Sequence, residues 1–147
     1  MAEVTLRPVN PDNLRRVLAL EVAPDQQHLV APNMRSLAEA AVSDDAMFRA
    51  IYAGEEPVGF LMVLEQRSVP RYYLWRFMID KAHQGNGYGT AAVALLIEYV
   101  RGLPGATELY VSWVPGEGSP APFYRRLGFV ETGRVEHGEH EAVLALS

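Results

Sequence analysis

Apolar positions in this chain fall into short runs punctuated by glycine and proline, with longer stretches at helical spacing between them. Residues 4–9 read as a strand, closed by Pro8 and the Asn10-Pro11 turn. Leu14, Val17, Leu18 and Glu21 recur at helical spacing and predict a helix over residues 14–21, which Asp12 or Asn13 caps. Pro24 and Pro32 bracket a loop. Ser36 and Glu39 have capping-box spacing ahead of Ala40, Ala41 and Val42, so a second short helix is predicted there. Residues 48–52 and 58–64 read as antiparallel strands joined by the turn Gly54-Glu55-Glu56-Pro57. A further turn, residues 66–71, leads into an aromatic-rich strand over residues 72–79. From Tyr88 or Thr90 to Arg101 the chain is apolar on most faces, as a helix lying flat on a sheet requires, and residues 102–105 end it. Residues 109–114 form a strand closed by Pro115-Gly116. Ser119 and Pro120 stand as cap and first residue of a short helix that ends at Gly128. Residues 129–130 and 141–146 complete the strands.

Chemistry concentrates where the aromatic strand gives way to the long helix. After Asp80 three glycines, Gly85, Gly87 and Gly89, precede Thr90. Without a Cβ the backbone there can approach a ligand closely. The first helical turn adds unpaired N–H groups and the positive end of the helix dipole. That combination holds a phosphate or pyrophosphate. The P-loop spacing is absent, and Ala92 takes the place of the last glycine of Gly-x-Gly-x-x-Gly. The weaker Gly-x-Gly-x-x-Ala form is satisfied, yet too little chain follows for the further strand–helix repeats of a dinucleotide fold.

Composition narrows the classes. A chain of 147 residues makes one domain, residues 1–147, large enough for a full core. Its hydrophobic content of 49% and charged content of 21% are those of a globular protein. No apolar run reaches the ~18 residues of a membrane span, and the N-terminus lacks a signal peptide's apolar segment, so no membrane partner and a cytoplasmic location are expected. The absence of cysteine excludes disulfides, thiolate metal sites and a cysteine nucleophile. A net charge of −5 argues against a nucleic-acid partner and suits a cationic acceptor.

The spacing Gln-x-x-Gly-x-Gly, carried by Gln84, Gly87 and Gly89 within RFMID and HQGNGYGTAAVALL, resembles the acetyl-CoA pyrophosphate loop of the GNAT superfamily of N-acetyltransferases. A second block, residues 119–133, resembles that family's Phe-Tyr-x-x-x-Gly-Phe signature through Phe123, Tyr124, Gly128 and Phe129. The resemblance implies a single-domain α/β fold of the α+β type. Its mixed, mostly antiparallel central sheet is flanked by helices, and a splayed strand pair holds the acyl-CoA. It implies that Phe77, Met78 and Ile79 present backbone to the pantetheine arm. Gln84, Gly85, Asn86, Gly87, Tyr88, Gly89 and Thr90 would cradle the pyrophosphate, with Phe123 also at the cofactor. Tyr124 would be the general acid that protonates the departing thiolate, although a buried, structurally satisfied ring is the competing reading. The amide of Met78 or its neighbour would stabilise the oxyanion formed when a neutral amine attacks the thioester. The family's asparagine six residues before the tyrosine is replaced here by Gly118. Acetyl-CoA is the implied co-substrate, with no metal, and a homodimer is compatible with the resemblance.

The acceptor is less legible. The wording VAPDQQHLVAPNMRSLAEA, with LWRFMID, resembles the diamine, spermine or spermidine acetyltransferase branch. Glu21 and Asp25 are candidates to pair with ammonium groups, Tyr73 and Trp75 to supply cation–π contact, and His28 to touch the substrate. Glu21, Asp25, His28 and Glu65 are the candidates for the base. His83 reads as a loop residue, and His137 and His140 as solvent-facing residues of a polar hairpin. Three functions stay open: transfer to a small amine or polyamine, transfer to a protein or antibiotic amine, and a non-catalytic CoA-binding regulatory module.

Overall fold

Strand-forming runs separated by glycine and proline turns assemble into one seven-stranded sheet of order β1-β2-β3-β4-β5-β7-β6. The computed structural model describes residues 2–146. Along the chain come β1 (Val4–Arg7), α1 (Leu14–Ala19), a 3-10 turn (Pro24–Gln26), α2 (Asn33–Ala41), β2 (Ala46–Ala53), β3 (Glu56–Gln66) and β4 (Arg71–Ile79). Then follow α3 (Tyr88–Arg101), β5 (Glu108–Trp113), α4 (Ala121–Arg126), β6 (Val130–Glu136) and β7 (Glu139–Ala145). Every neighbouring pair is antiparallel except β4 and β5, which run parallel. Among the described residues no helix is long and apolar enough to cross a membrane.

Two apolar layers hold helices to the two faces. On one face α3 lays Ala92, Leu96 and Val100, four residues apart, against Leu61, Val63 and Leu74 of the sheet, and α4 adds Ala121 and Tyr124. On the other, Val17 of α1 and Ala40 of α2 pack with Phe60, Met62 and Met78. Strand β3 lies between both layers and is buried continuously from Pro57 to Val63, so its sequence reads as an unbroken apolar run rather than an alternation.

The feature that shapes the molecule is the β4–β5 seam. Only Tyr72, Tyr73 and Leu74 pair with β5, opposite Leu109, Tyr110 and Val111. Beyond them β4 stays with β3 out to Ile79, while β5 stays with β7 out to Trp113. Each strand keeps its antiparallel partner and the weaker parallel seam opens. A bulge lies at the same height: Met62 faces Arg76 and Val63 faces Leu74, leaving Trp75 as the extra residue of β4. Bulges bend and twist the strand that carries them, and this one turns β4 away from β5.

Several expected boundaries move. Helix α2 begins at Asn33, with Pro32 in the cap position, about one turn before the predicted start. Ser36 therefore lies inside the helix, fully buried and with its hydroxyl unpartnered among the described residues, and no Ser36–Glu39 capping box forms. Asn33 Nδ2 instead donates to Val17 O at 2.9 Å, tying α2 to α1. Asn13 does take the cap position of α1, but its amide is used by Pro8 O and Tyr52 Oη rather than by the helix. Pro120 sits one place earlier than predicted, as the cap of α4. Gly128 follows α4 at φ +102, in the left-handed region the helix end requires. Strand β6 runs to Glu136, far beyond the two residues predicted, because β7 templates it although its own side chains stay exposed.

Gly59 is packed where β3 meets β4: a Cβ there would stand 2.4 Å from Met78 O and 2.9 Å from Ile79 Cδ1. Backbone must move to admit even a methyl group. Gly59→Ala is expected to destabilise the fold by about 1–3 kcal/mol, read from the urea unfolding midpoint, and an unchanged midpoint would contradict this packing.

Candidate active site

The opening between β4 and β5 continues into a cleft of about 710 Å³. Backbone polarity inside the opening follows from strand alternation. Asp80 N–H donates to Val58 O on β3 at 2.8 Å, and Met78 O lies against Gly59 of the same strand. Residues two apart send their amide and carbonyl to the same edge, so Met78 faces β3 and its neighbours Phe77 and Ile79 face the gap. This corrects the expectation for Met78, whose amide points away from the opening and whose side chain packs under α1 and α2. Of the expected donors, Met78 or its neighbour, only the neighbour's amide faces the gap.

At the far end of β4 the glycine-rich turn is open. Asp80, nearly buried, anchors it by accepting the N–H groups of Glu21 at 2.9 Å and Ala82 at 3.1 Å. Gly85 and Gly87 hold φ +83 and +79, and nothing lies within 4 Å of where their Cβ atoms would stand. Gly87 caps α3, whose first backbone bond runs from Ala91 N–H to Gly87 O. Among the described residues the main-chain N–H groups of residues 84–90 have no hydrogen-bond acceptor. A run of unpaired donors around a helix start is an anion cradle, and it fits a pyrophosphate. Gln84 Nε2 reaches back to Ile79 O and across to Gln26 Oε1, both at 2.9 Å. Asn86 Nδ2 closes the turn on His83 O at 3.0 Å.

Aromatic rings line the gap on the α3 and α4 side. Phe77 and Phe123 stack with centroids 5.7 Å apart and an interplanar angle of 10°. Gly89 touches both rings, its Cβ position lying 3.5 Å from each. Trp113 stacks on Tyr124 at 5.6 Å, and Phe123 and Phe129 meet the same tyrosine edge-on. Tyr124 is 4% exposed and lines the cleft. Burial, with a smaller contribution from nearby Tyr73, pushes its phenol well above the ordinary tyrosine value. The hydroxyl thus keeps its proton and has none of its hydrogen bonds committed to other described residues. It is a free donor at the end of the gap.

The cleft gathers some of the acceptor candidates and leaves others out. His28, Tyr73 and Trp75 line it. Glu21 and Asp25 do not: Glu21 pairs with Lys81 at 2.7 Å on the surface, and Asp25 is exposed in the 3-10 turn. Glu65 is also elsewhere, accepting from Tyr99 Oη at 2.5 Å and from Arg67 at 3.0 Å. His83 stands near Glu56, 3.6 Å away. His140 is 3.6 Å from Glu131, and His137 is largely exposed at the rim of the cleft, at φ +52. What sequence reading missed is the acidic contribution of Glu39, Glu136, Glu139 and Glu141. Three of these carry arginines: Arg76 on Glu39 at 2.8 Å, Arg71 on Glu141 at 3.0 Å and Arg134 on Glu136 at 2.7 Å. Alternation in EHEAVLA gave the only sequence signal, since it puts Glu139 and Glu141 on one face of β7. Gly118, standing where the signature has asparagine, sits at φ +80 and is fixed by its turn. Among the described residues no group of three or more potential ligands could hold a metal ion.

This splayed-sheet architecture with its glycine-rich helix start is that of an acyltransferase domain, and residues 12–129 match the acetyltransferase (GNAT) family. The chain belongs to that family and is an acyl-CoA-dependent acetyltransferase. It is 27% identical over 150 residues to a probable spermine N(1)-acetyltransferase of Bacillus subtilis subsp. natto, covering 97% of this chain and 99% of the relative. It is 26% identical to a spermine/spermidine N(1)-acetyltransferase of Bacillus subtilis strain 168, with the same coverage. Its fold is similar to that of an acetyltransferase from Thermus thermophilus, with a TM-score of 0.75 at 24% identity over 99% of both chains.

Because the Tyr124 hydroxyl holds no described partner, removing it leaves nothing in the fold unsatisfied. Tyr124→Phe is expected to shift unfolding stability by less than about 0.5 kcal/mol. Thermal and urea unfolding check this, and a larger loss would reveal a structural hydrogen bond.

Proposed function

We propose that the protein transfers an acetyl group from acetyl-CoA to a primary amine by direct attack, with a small amine or polyamine as the acceptor. One observation carries the reading: the open β4–β5 seam joins a run of unpaired amides at one end to a buried, uncommitted phenol at the other. Bound acetyl-CoA would supply the activated acyl group. The amides of residues 84–90 bind its pyrophosphate, and the gap-facing backbone of Phe77 and Ile79 orients its pantetheine arm. The Phe77–Phe123 stack excludes water from one side of that channel. A gap-facing amide near the bulge of β4 is positioned to meet developing negative charge on the carbonyl oxygen. Tyr124 delivers its proton to the leaving sulfur.

The polyamine choice rests on the curated relatives and on the cleft. Trp75 and Tyr73 offer aromatic faces to an ammonium group, although Arg76 already lies 5.2 Å over Trp75. The glutamates of β7 supply the negative charge that the sequence had assigned to Glu21 and Asp25. His28 lies on the acceptor loop at the same cleft.

Thiol release measured across a panel of polyamines, aminoglycosides, amino acids and peptide N-termini tests the reading. Turnover is expected with the polyamines, while CoA binding without turnover on any amine would favour a binding module. Gly87→Ala places a side chain at φ +79 in the cradle, at a strain cost of about 1–2 kcal/mol. It is expected to weaken CoA binding by calorimetry about tenfold, and equal affinity would remove the cradle. Tyr124→Phe is expected to lower kcat about 10²-fold with CoA affinity retained. An undiminished kcat would take the acid role from Tyr124.

A further inference from the structure

Three polar groups on three neighbouring strands form a chain inside the cleft. Tyr73 Oη of β4 is hydrogen-bonded to Ser112 Oγ of β5, and Ser112 Oγ donates to Glu139 Oε1 of β7 at 3.0 Å. All three residues line the cleft that also holds Tyr124. The carboxylate sets the direction of every proton in this chain. An ionised Glu139 can only accept, so the single hydroxyl proton of Ser112 points to it. Ser112 is then left with lone pairs toward Tyr73, and the Tyr73 proton is committed to Ser112. What Tyr73 turns to the cleft is therefore an acceptor, next to Tyr124, which presents a donor.

Glu139 differs from its neighbours in lacking a countercharge. Glu39 and Glu141 are bound to Arg76 and Arg71, and Glu136 to Arg134 at 2.7 Å. Among the described residues no cationic group lies within 4.0 Å of the Glu139 carboxylate. Glu139 is thus a half-buried carboxylate whose described partner is the Ser112 hydroxyl, in a cleft that pairs its other acids with arginine.

We propose that Tyr73, Ser112 and Glu139 form the proton-accepting relay for the acceptor amine. As the N–C bond to the acyl carbon forms, the nitrogen gives a proton to Tyr73 Oη. Tyr73 passes its own proton to Ser112 Oγ, and Ser112 passes its own to the Glu139 carboxylate. One proton leaves the nitrogen, one arrives on Glu139, and both hydroxyls end as they began. Tyr73 touches the reacting nitrogen, and Ser112 and Glu139 act through it. Burial raises the Tyr73 phenol above its ordinary value, so it conducts as a neutral hydroxyl rather than as a phenolate. The inference rests on the acetyl-transfer reading and adds the base which that reading leaves unassigned.

The surrounding charges define what titrates. Arg76, Glu139 and Glu141 act on Tyr73, and Tyr124 stands beside it. Glu136 is the strand partner of Glu139 on β6, with His137 between them in the hairpin. His28 and Glu39 face the same cleft from the α1–α2 connection and from α2.

The test is kcat at saturating acetyl-CoA and amine from pH 6.5 to about 9.5, for wild type, Glu139→Gln, Ser112→Ala and Ser112→Thr. Wild type is expected to be flat above neutrality. Glu139→Gln and Ser112→Ala are expected to fall about 10²-fold at pH 7 and to recover about tenfold per pH unit as hydroxide replaces the base. Ser112→Thr, which restores the hydroxyl, keeps the wild-type profile. A deficit constant with pH, or a rise in amine KM with kcat unchanged, would assign Glu139 to structure or binding and overturn the relay while leaving acetyl transfer standing. Absence of wild-type turnover on every amine removes the acetyl-transfer reading itself, and the relay with it. Should Ser112→Ala unfold, Glu139→Gln decides alone, since a glutamine oxygen still accepts the Ser112 proton.

Discussion

Everything functional in this molecule depends on a sheet that does not close. A parallel strand pair is held by slanted hydrogen bonds and has no turn to enforce its register. Here β4 and β5 each have a long antiparallel partner on the other side, and three paired residues are all the seam retains. The bulge at Trp75 adds a residue to β4 at that height and sends the strand off with β3. Main-chain groups that would ordinarily be consumed in a ladder are left facing a gap. Their cost is acceptable only because the gap is a place for a polar arm or water.

Two tyrosines divide the polar work at the mouth of that gap. Burial raises both phenols above the ordinary tyrosine value, yet they differ in what surrounds their hydroxyls. Tyr124 is enclosed by Trp113, Phe123 and Phe129, none of which can accept a hydrogen bond in the ordinary sense, so its proton is uncommitted. Tyr73 is hydrogen-bonded to Ser112, whose hydroxyl is itself oriented by the Glu139 carboxylate. Donor and acceptor character at equal chemistry thus comes from neighbours, which is the same logic by which environments separate two carboxylates in an acid–base pair.

The glycine-rich turn was legible in the sequence and the lining of the cleft largely was not. Gly85 and Gly87 hold the left-handed turn and Gly89 opens the helix that follows, and crowded glycines before a helix are readable from local geometry alone. Phe123 and Tyr124 were singled out by the resemblance to the Phe-Tyr-x-x-x-Gly-Phe signature, and Gly128 also by its place after the helix. The acceptor cleft is built from pieces distant in sequence: α2, the β4 bulge and the last hairpin. Which glutamate meets an arginine there depends on register between strands, so Glu21 and Asp25 were named and Glu139 was not. Ser36 misled for a related reason. Its spacing to Glu39 suits a helix start, but Asn33 reaching Val17 O sets α2 one turn earlier. Of Phe77, Met78 and Ile79, all expected to face the gap, only Phe77 and Ile79 do, because alternation is decided by the β3 partner.

One side chain spans the two ends of the molecule. Gln84 holds the last carbonyl of β4 and also the Gln26 side chain of the 3-10 turn, and that turn leads into the acceptor loop carrying His28. The end of β4, the glycine-rich turn and the loop ahead of α2 are thereby tied at one point, so displacing that one amide loosens two segments at once.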